Sequence, residues 1–181
     1  MKEATTRERQ EIIKKFEEIR VFPASPSPPL DEPLKFTFRQ SGFQTCSATL
    51  SSDMERTAAR LANGLFATLQ GRTNEAEITI VGFSDERHPL PGCAYRENHI
   101  LSSDRAAGIA RAMQASFDDH NVRPKIISKG GYGNVLRHCQ DSDEACNADN
   151  RRFEMTLAMP GLTLNPNDLC GRNSKAPVAK Q

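Results

Sequence analysis

An α+β fold, a two-layer sandwich with helices packed on a mixed sheet, is what three features of this sequence predict. Strand-type and helix-type periodicities alternate in the order β-α-β-α-β-β. One of the strand segments, EITIVG, is almost wholly apolar and so belongs in the middle of a sheet. Clusters of Gly, Pro, Asn and Asp separate the periodic stretches.

The elements follow in order. Residues 6–20 place Ile12, Phe16 and Ile19 on one stripe among Lys, Arg and Glu, the pattern of a charged amphipathic helix. Five prolines in residues 23–33 block helix and central strand alike, so this stretch reads as a semi-rigid linker. LKFTFR, residues 34–39, alternates as a first strand. Ser51, Ser52 and Asp53 are N-cap candidates for a helix with Met54, Ala58, Leu61, Leu65 and Leu69 inward, and Gly71 ends it. EITIVG, residues 77–82, is the second strand. A polar loop fills residues 85–98, and Ser102 is read as opening a helix with Ala106, Ile109, Ala110, Met113 and Phe117 inward. Residues 124–128 are the third strand, and residues 153–159 are the last, after a glycine turn and a cysteine-flanked loop. The domain plan is a juxtamembrane-like helix at 1–22, a linker at 23–33, the folded domain at 34–160 and an irregular tail at 161–181.

Composition narrows the function. A net charge of +1 gives no field for phosphate backbones, and with no Trp and two Tyr there is little to stack on bases, so nucleic acid is not expected. No apolar run is long enough to span a bilayer. The charged N-terminus lacks a signal-peptide core, which taken alone points to the cytoplasm. The cysteines point the other way. Cys139 and Cys146 flank a polar, acidic stretch and read as a disulfide at the base of an exposed loop, which suits an oxidising compartment; the alternative is two surface thiols. The expectation is therefore an export-type domain whose leader or membrane segment lies upstream of Met1. Cys170 has no assignment.

Three segments could carry chemistry: Gly82-Phe83-Ser84-Asp85 after the second strand, residues 98–106 (NHILSSDRA), and Asn150-Arg151-Arg152-Phe153-Glu154 entering the last strand. With the Gly131/Gly133 turn, these resemble in order the motifs of the peptidoglycan-associating domain shared by OmpA-like, Pal-like and MotB-like proteins. The matching residues are Gly82, Ser84 and Asp85; Asn98, Leu101, Ser102, Arg105 and Ala106; Gly131 and Gly133; Asn150, Arg151, Arg152 and Glu154. The resemblance covers about residue 35 to residue 159. It departs from the usual pattern in the constrained loop with His88, Pro89, Pro91, Gly92 and Cys93, and in Glu97, which replaces the usual aromatic just before the Asn.

What the resemblance implies is non-covalent binding of the peptidoglycan stem peptide through diaminopimelate, with Asp85 and Arg105 as contacts, and no enzymatic activity or cofactor. Elementary electrostatics agrees. The end of a strand and the start of the next helix in a parallel βαβ unit share one sheet edge. That places Asp85 beside the expected first turn, with Arg105 three positions after a Ser102 cap. Arg105 and free amides favour a carboxylate, and Asp85 favours an ammonium. Both side chains are expected to be exposed. Asn98 is assigned to the binding edge or to bracing its loop, Leu101 to the edge or to packing, Ser84 to the edge, and Arg152 to the pocket or its support. Arg151 is expected to point away, because neighbours alternate on a strand. Phe43 and Tyr132 are candidate walls. Cys46 and Cys93, each after a strand at that edge, are a second candidate disulfide.

The parent protein is read as a periplasmic wall anchor of a Gram-negative-type bacterium, a MotB-like stator subunit or an outer-membrane protein or lipoprotein, with room for a homodimer. A metal-dependent wall hydrolase using Asp85, His88, Cys93 and His99 is the rival; their spacing matches no ligand motif and no HExxH helix is present. No GxSxG elbow or phosphate loop occurs either.

Overall fold

The computed structural model describes residues 2–39, 43–44, 46–89, 91–131 and 136–163. Tyr132, Gly133, Cys170 and most of the expected tail lie outside them. Helix α1 spans Lys2–Glu17, strand β1 Phe22–Pro23, β2 Leu34–Arg39, α2 Ser52–Leu69, β3 Glu77–Gly82, α3 Asn98–Asp119, β4 Lys125–Gly130, α4 Glu144–Asn150 and β5 Arg152–Ala158. The sheet order is β1-β2-β5-β3-β4. Among the described strands only β3 and β4 pair in parallel, joined through α3; β5 lies antiparallel to both β2 and β3. The two-layer α+β architecture is thus the one the periodicities require.

Sheet positions alternate as the pleat demands. Leu34, Phe36, Ile78, Ile80, Phe153, Met155 and Leu157 face the helices and are fully buried, and Lys35, Thr37, Thr79 and Thr156 occupy the other face. Helix α2 begins where its sequence says: Ser51 Oγ accepts from the Met54 amide, and Leu61, Leu65 and Leu69 line its buried stripe. Its end is set by Gln70 in the left-handed region, followed by Gly71 at φ 89°.

The expected juxtamembrane-like helix packs into this core. Ile12 and Phe16 are buried, and the Phe16 ring lies 4.4 Å from that of Phe36 on β2. An apolar stripe cannot tell a docked helix from a free one; the sheet supplies the partner. The linker folds back too. Phe22–Pro23 pairs with β2, and Arg9, 2 % exposed, donates to the carbonyls of Pro29 (2.7 Å), Glu32 (2.8 Å) and Leu162 (2.7 Å). Burial lowers the Arg9 pKa, offset by nearby Asp31. Leu162, at the start of the expected irregular tail, is fully buried. One buried guanidinium therefore joins helix, linker and the segment after β5.

Helix α3 starts four residues earlier than Ser102 suggested, with Glu97 at the N-cap and no side-chain cap. Packing decides this boundary. A Cβ on Gly82 would lie 2.3 Å from the Ser102 carbonyl oxygen, and one on Gly130 2.4 Å from that of His99. These two glycines at the ends of β3 and β4 let the first turns of α3 lie directly on the sheet. Because the obstacle at Gly82 is backbone, Gly82→Ala is expected to destabilise the fold by about 3 kcal/mol and to shift the start of α3. Chemical denaturation checks this, and an unchanged midpoint would remove the close approach as a requirement.

Candidate functional site

Parallel pairing of β3 and β4 leaves the end of β3 and the start of α3 at one sheet edge, where ligand sites of such units form. A cavity of about 450 Å³ opens there, within the size range of small-ligand pockets. Ser84, Asp85, Asn98, Leu101 and Arg105 all line it, as does Phe43. The structure therefore brings together five of the six binding residues expected from the sequence.

Arg105 is not exposed as expected. It is 6 % exposed, in the interior of α3, and its guanidinium donates to the backbone carbonyls of Ser47 (2.9 Å) and Gln44 (3.0 Å). It also lies 5.0 Å from the centre of the Phe43 ring. Burial first, and the like charge of Arg151 second, lower its pKa, with Tyr95 and Asp85 opposing; a guanidinium stays charged regardless. The early start of α3 moves Arg105 away from the first-turn amides, so its own charge, not the helix end, must serve a ligand carboxylate.

Asp85 is also buried, its side chain 8 % exposed, and it faces two cations. Arg87 reaches its Oδ2 at 2.7 Å, and Arg151 at 2.5 Å. The Arg87 amide donates to Oδ1 at 3.2 Å, which closes a tight turn. Asn98 braces this turn through its Nδ2, donating to the carbonyls of Asp85 (3.3 Å) and Arg87. It lines the pocket and bonds the loop. Leu101 is buried at the pocket wall.

Of the two arginines of the last motif, Arg152 falls outside the cavity lining, which leaves the supporting alternative of its two expected places, and Arg151, expected to point away, lines the cavity. Arg152, the first residue of β5, stacks 4.1 Å from the Phe83 ring centre and pairs with Glu154 at 2.9 Å instead of lining the cavity. Arg151 precedes the strand, where pleat alternation does not yet apply, and enters the cavity. Sequence reasoning also missed Arg87 and Glu144. Arg87, two residues after Asp85, could have been found by proximity; Glu144 could not. It stands on α4, a short polar helix capped by Asp143, which accepts from the Cys146 amide, inside what read as a loop. Glu144 pairs with Arg87 at 2.9 Å and with Arg151. The hydrogen bond from Arg151, then that from Arg87, lowers its pKa. The motif residue Asn150, fully buried, holds the same loop: Oδ1 accepts from the Leu136 amide at 2.8 Å and Nδ2 donates to the Arg137 carbonyl at 2.9 Å.

Both candidate disulfides form, with Cα separations of 5.4 Å for Cys46–Cys93 and 5.7 Å for Cys139–Cys146. The first ties the strand-following segment that caps Arg105 to the loop after Asp85. It also takes Cys93 from the rival metal set as a thiolate. Among the described residues, no three His, Cys, Asp or Glu side chains converge as a metal site, and no helix is long and apolar enough to cross a membrane.

Neither a family model nor a curated protein matches the chain. Solved structures do. A putative MotB-like protein from Desulfovibrio vulgaris superimposes with a TM-score of 0.67 at 19 % identity, covering 87 % of this chain and 95 % of that one. That is more of the chain than residues 34–160 make up, so the likeness extends beyond the expected domain. The periplasmic domain of Helicobacter pylori MotB gives 0.57 at 19 % identity, over 81 % of this chain and 92 % of that one. The cell wall anchor of the T6SS from Pseudomonas aeruginosa gives 0.57 at 20 % identity, over 83 % and 95 %. The chain has the fold of the MotB-like periplasmic domains.

Proposed function

We propose that this chain binds peptidoglycan non-covalently, taking the zwitterionic end of a diaminopimelate stem peptide in the cavity beside α3, and so anchors a MotB-like envelope protein to the wall from the periplasmic side. The observation that carries this reading is the convergence of Asp85 and Arg105, with Asn98, Ser84 and Leu101, in one cavity. A buried carboxylate and a buried guanidinium in one small space favour a ligand that carries both signs. The two disulfides and the shared fold with a T6SS cell wall anchor support the placement.

The ammonium of the ligand takes up Asp85 in competition with Arg87 and Arg151, so its carboxylate must engage cations at the same time. A ligand of one sign gains less. Purified sacculi are expected to co-sediment the protein saturably, and soluble stem-peptide fragments should release it. Asp85→Ala is expected to weaken this roughly tenfold to hundredfold, since hydrogen bonds to charged groups contribute about 1.5–3 kcal/mol. No sedimentation above that of a control protein would overturn the reading, as would full retention by Asp85→Ala.

A further inference from the structure

We propose that Arg87 and Arg151 form a second carboxylate subsite in which Glu144 is an internal stand-in, displaced when a ligand brings a further carboxylate of its own. The inference rests on the binding reading above and specifies its ligand: a zwitterionic amino-acid head with one more free carboxylate within reach.

The geometry is a ring of alternating charge. Arg87 bridges Asp85 (2.7 Å) and Glu144 (2.9 Å), and Arg151 bridges the same two carboxylates. The two acids differ in one respect. Asp85 is buried, whereas the Glu144 side chain is 65 % exposed. Exposed ion pairs are weak and exchange readily with solvent or another anion. Glu144 divides its two oxygens between the two guanidiniums, Oε2 to Arg87 and Oε1 to Arg151, as a bound carboxylate would. It reaches them from α4, in the loop closed by Cys139–Cys146, so its departure requires no change in the core. Once Glu144 leaves, Arg87, Arg105 and Arg151 face the single carboxylate of Asp85. A ligand whose amino-acid head is accompanied by a second carboxylate meets that arrangement better than one with a single carboxylate.

Calorimetric titration of the whole chain with meso-diaminopimelate and with L-lysine separates the subsites, because lysine keeps an amino-acid head but lacks the second carboxylate. Wild type should prefer diaminopimelate. Glu144→Gln should tighten diaminopimelate about fivefold, the range set by losing exposed competing ion pairs, and change lysine less than about twofold. Arg87→Gln should reduce the preference toward unity. Equal shifts for both ligands in Glu144→Gln, or weaker diaminopimelate binding, would overturn the second subsite. Asp85→Ala reports separately: if it retained both ligands, the head-group reading itself would fail. The absence of binding to either ligand by wild type would overturn both.

Discussion

Arg105→Ala is expected to lose both stability and binding, and to a similar degree. The sequence places this side chain at an exposed edge, where removal costs little; the fold buries it at 6 % exposure. Its two hydrogen bonds to the Gln44 and Ser47 carbonyls come from a charged donor, and its face covers Phe43. Part of the lost energy returns as water reaches the exposed Gln44, so the net cost should be about 3 kcal/mol, a fall of roughly 9 °C in Tm for a chain of this size. Affinity for stem-peptide fragments should drop roughly tenfold to hundredfold. Arg105→Lys keeps the charge but cannot fork onto both carbonyls. It should recover part of the binding while remaining destabilised. Thermal unfolding and calorimetry on the two variants check this. An unchanged Tm in Arg105→Ala would mean the carbonyl brace is dispensable, and unchanged affinity would remove Arg105 from the site.

Removing the Cys46–Cys93 disulfide is expected to be the most costly covalent change. The bridge spans 47 residues of sequence, for which the loop-entropy model gives about 4 kcal/mol, against about 2.5 kcal/mol for the shorter Cys139–Cys146 loop. The double variant Cys46→Ala with Cys93→Ala should therefore unfold at clearly lower denaturant than the variant lacking the shorter bridge. Function should follow, since Cys46 stands between the two carbonyls that hold Arg105, and Cys93 belongs to the loop after Asp85. Loss of the bridge frees both pocket walls at once, so stem-peptide affinity should fall even at temperatures where the protein is folded. If the two double variants unfolded alike, chain entropy would not be what this bridge contributes.

Several features were legible because they are local. Alternation in LKFTFR and FEMTLAM, the unbroken EITIVG, and Ser51 ahead of an apolar stripe each encode an element within a few residues. Asp85 and Arg105 were legible as a pair because a βαβ unit fixes where a strand end meets its helix. The start of α3 was not. Ser102 is a good cap by type, but Gly82 and Gly130 open the space that lets the helix continue back to Asn98. The parity of Arg151 and Arg152 also escaped, because pleat alternation assigns faces only once the first strand residue is known.

By itself, the sequence determined the order of β2, α2, β3, α3, β4 and β5, the helix-covered face of the sheet, two candidate cysteine pairings and the strand-to-helix edge where the candidate site lies. Each depends on short-range periodicity or on connection geometry, which sequence records directly. Only the tertiary structure decided that α1 belongs to the core, through Phe16 on Phe36, and that the proline-rich segment is tied back onto the domain, through Arg9 on the carbonyls of Pro29, Glu32 and Leu162. It alone buried Arg105, and brought Glu144 across from a separate loop to Arg87 and Arg151. Contacts between residues far apart in the chain depend on which apolar faces meet, and the charged groups settle into the space that this packing leaves.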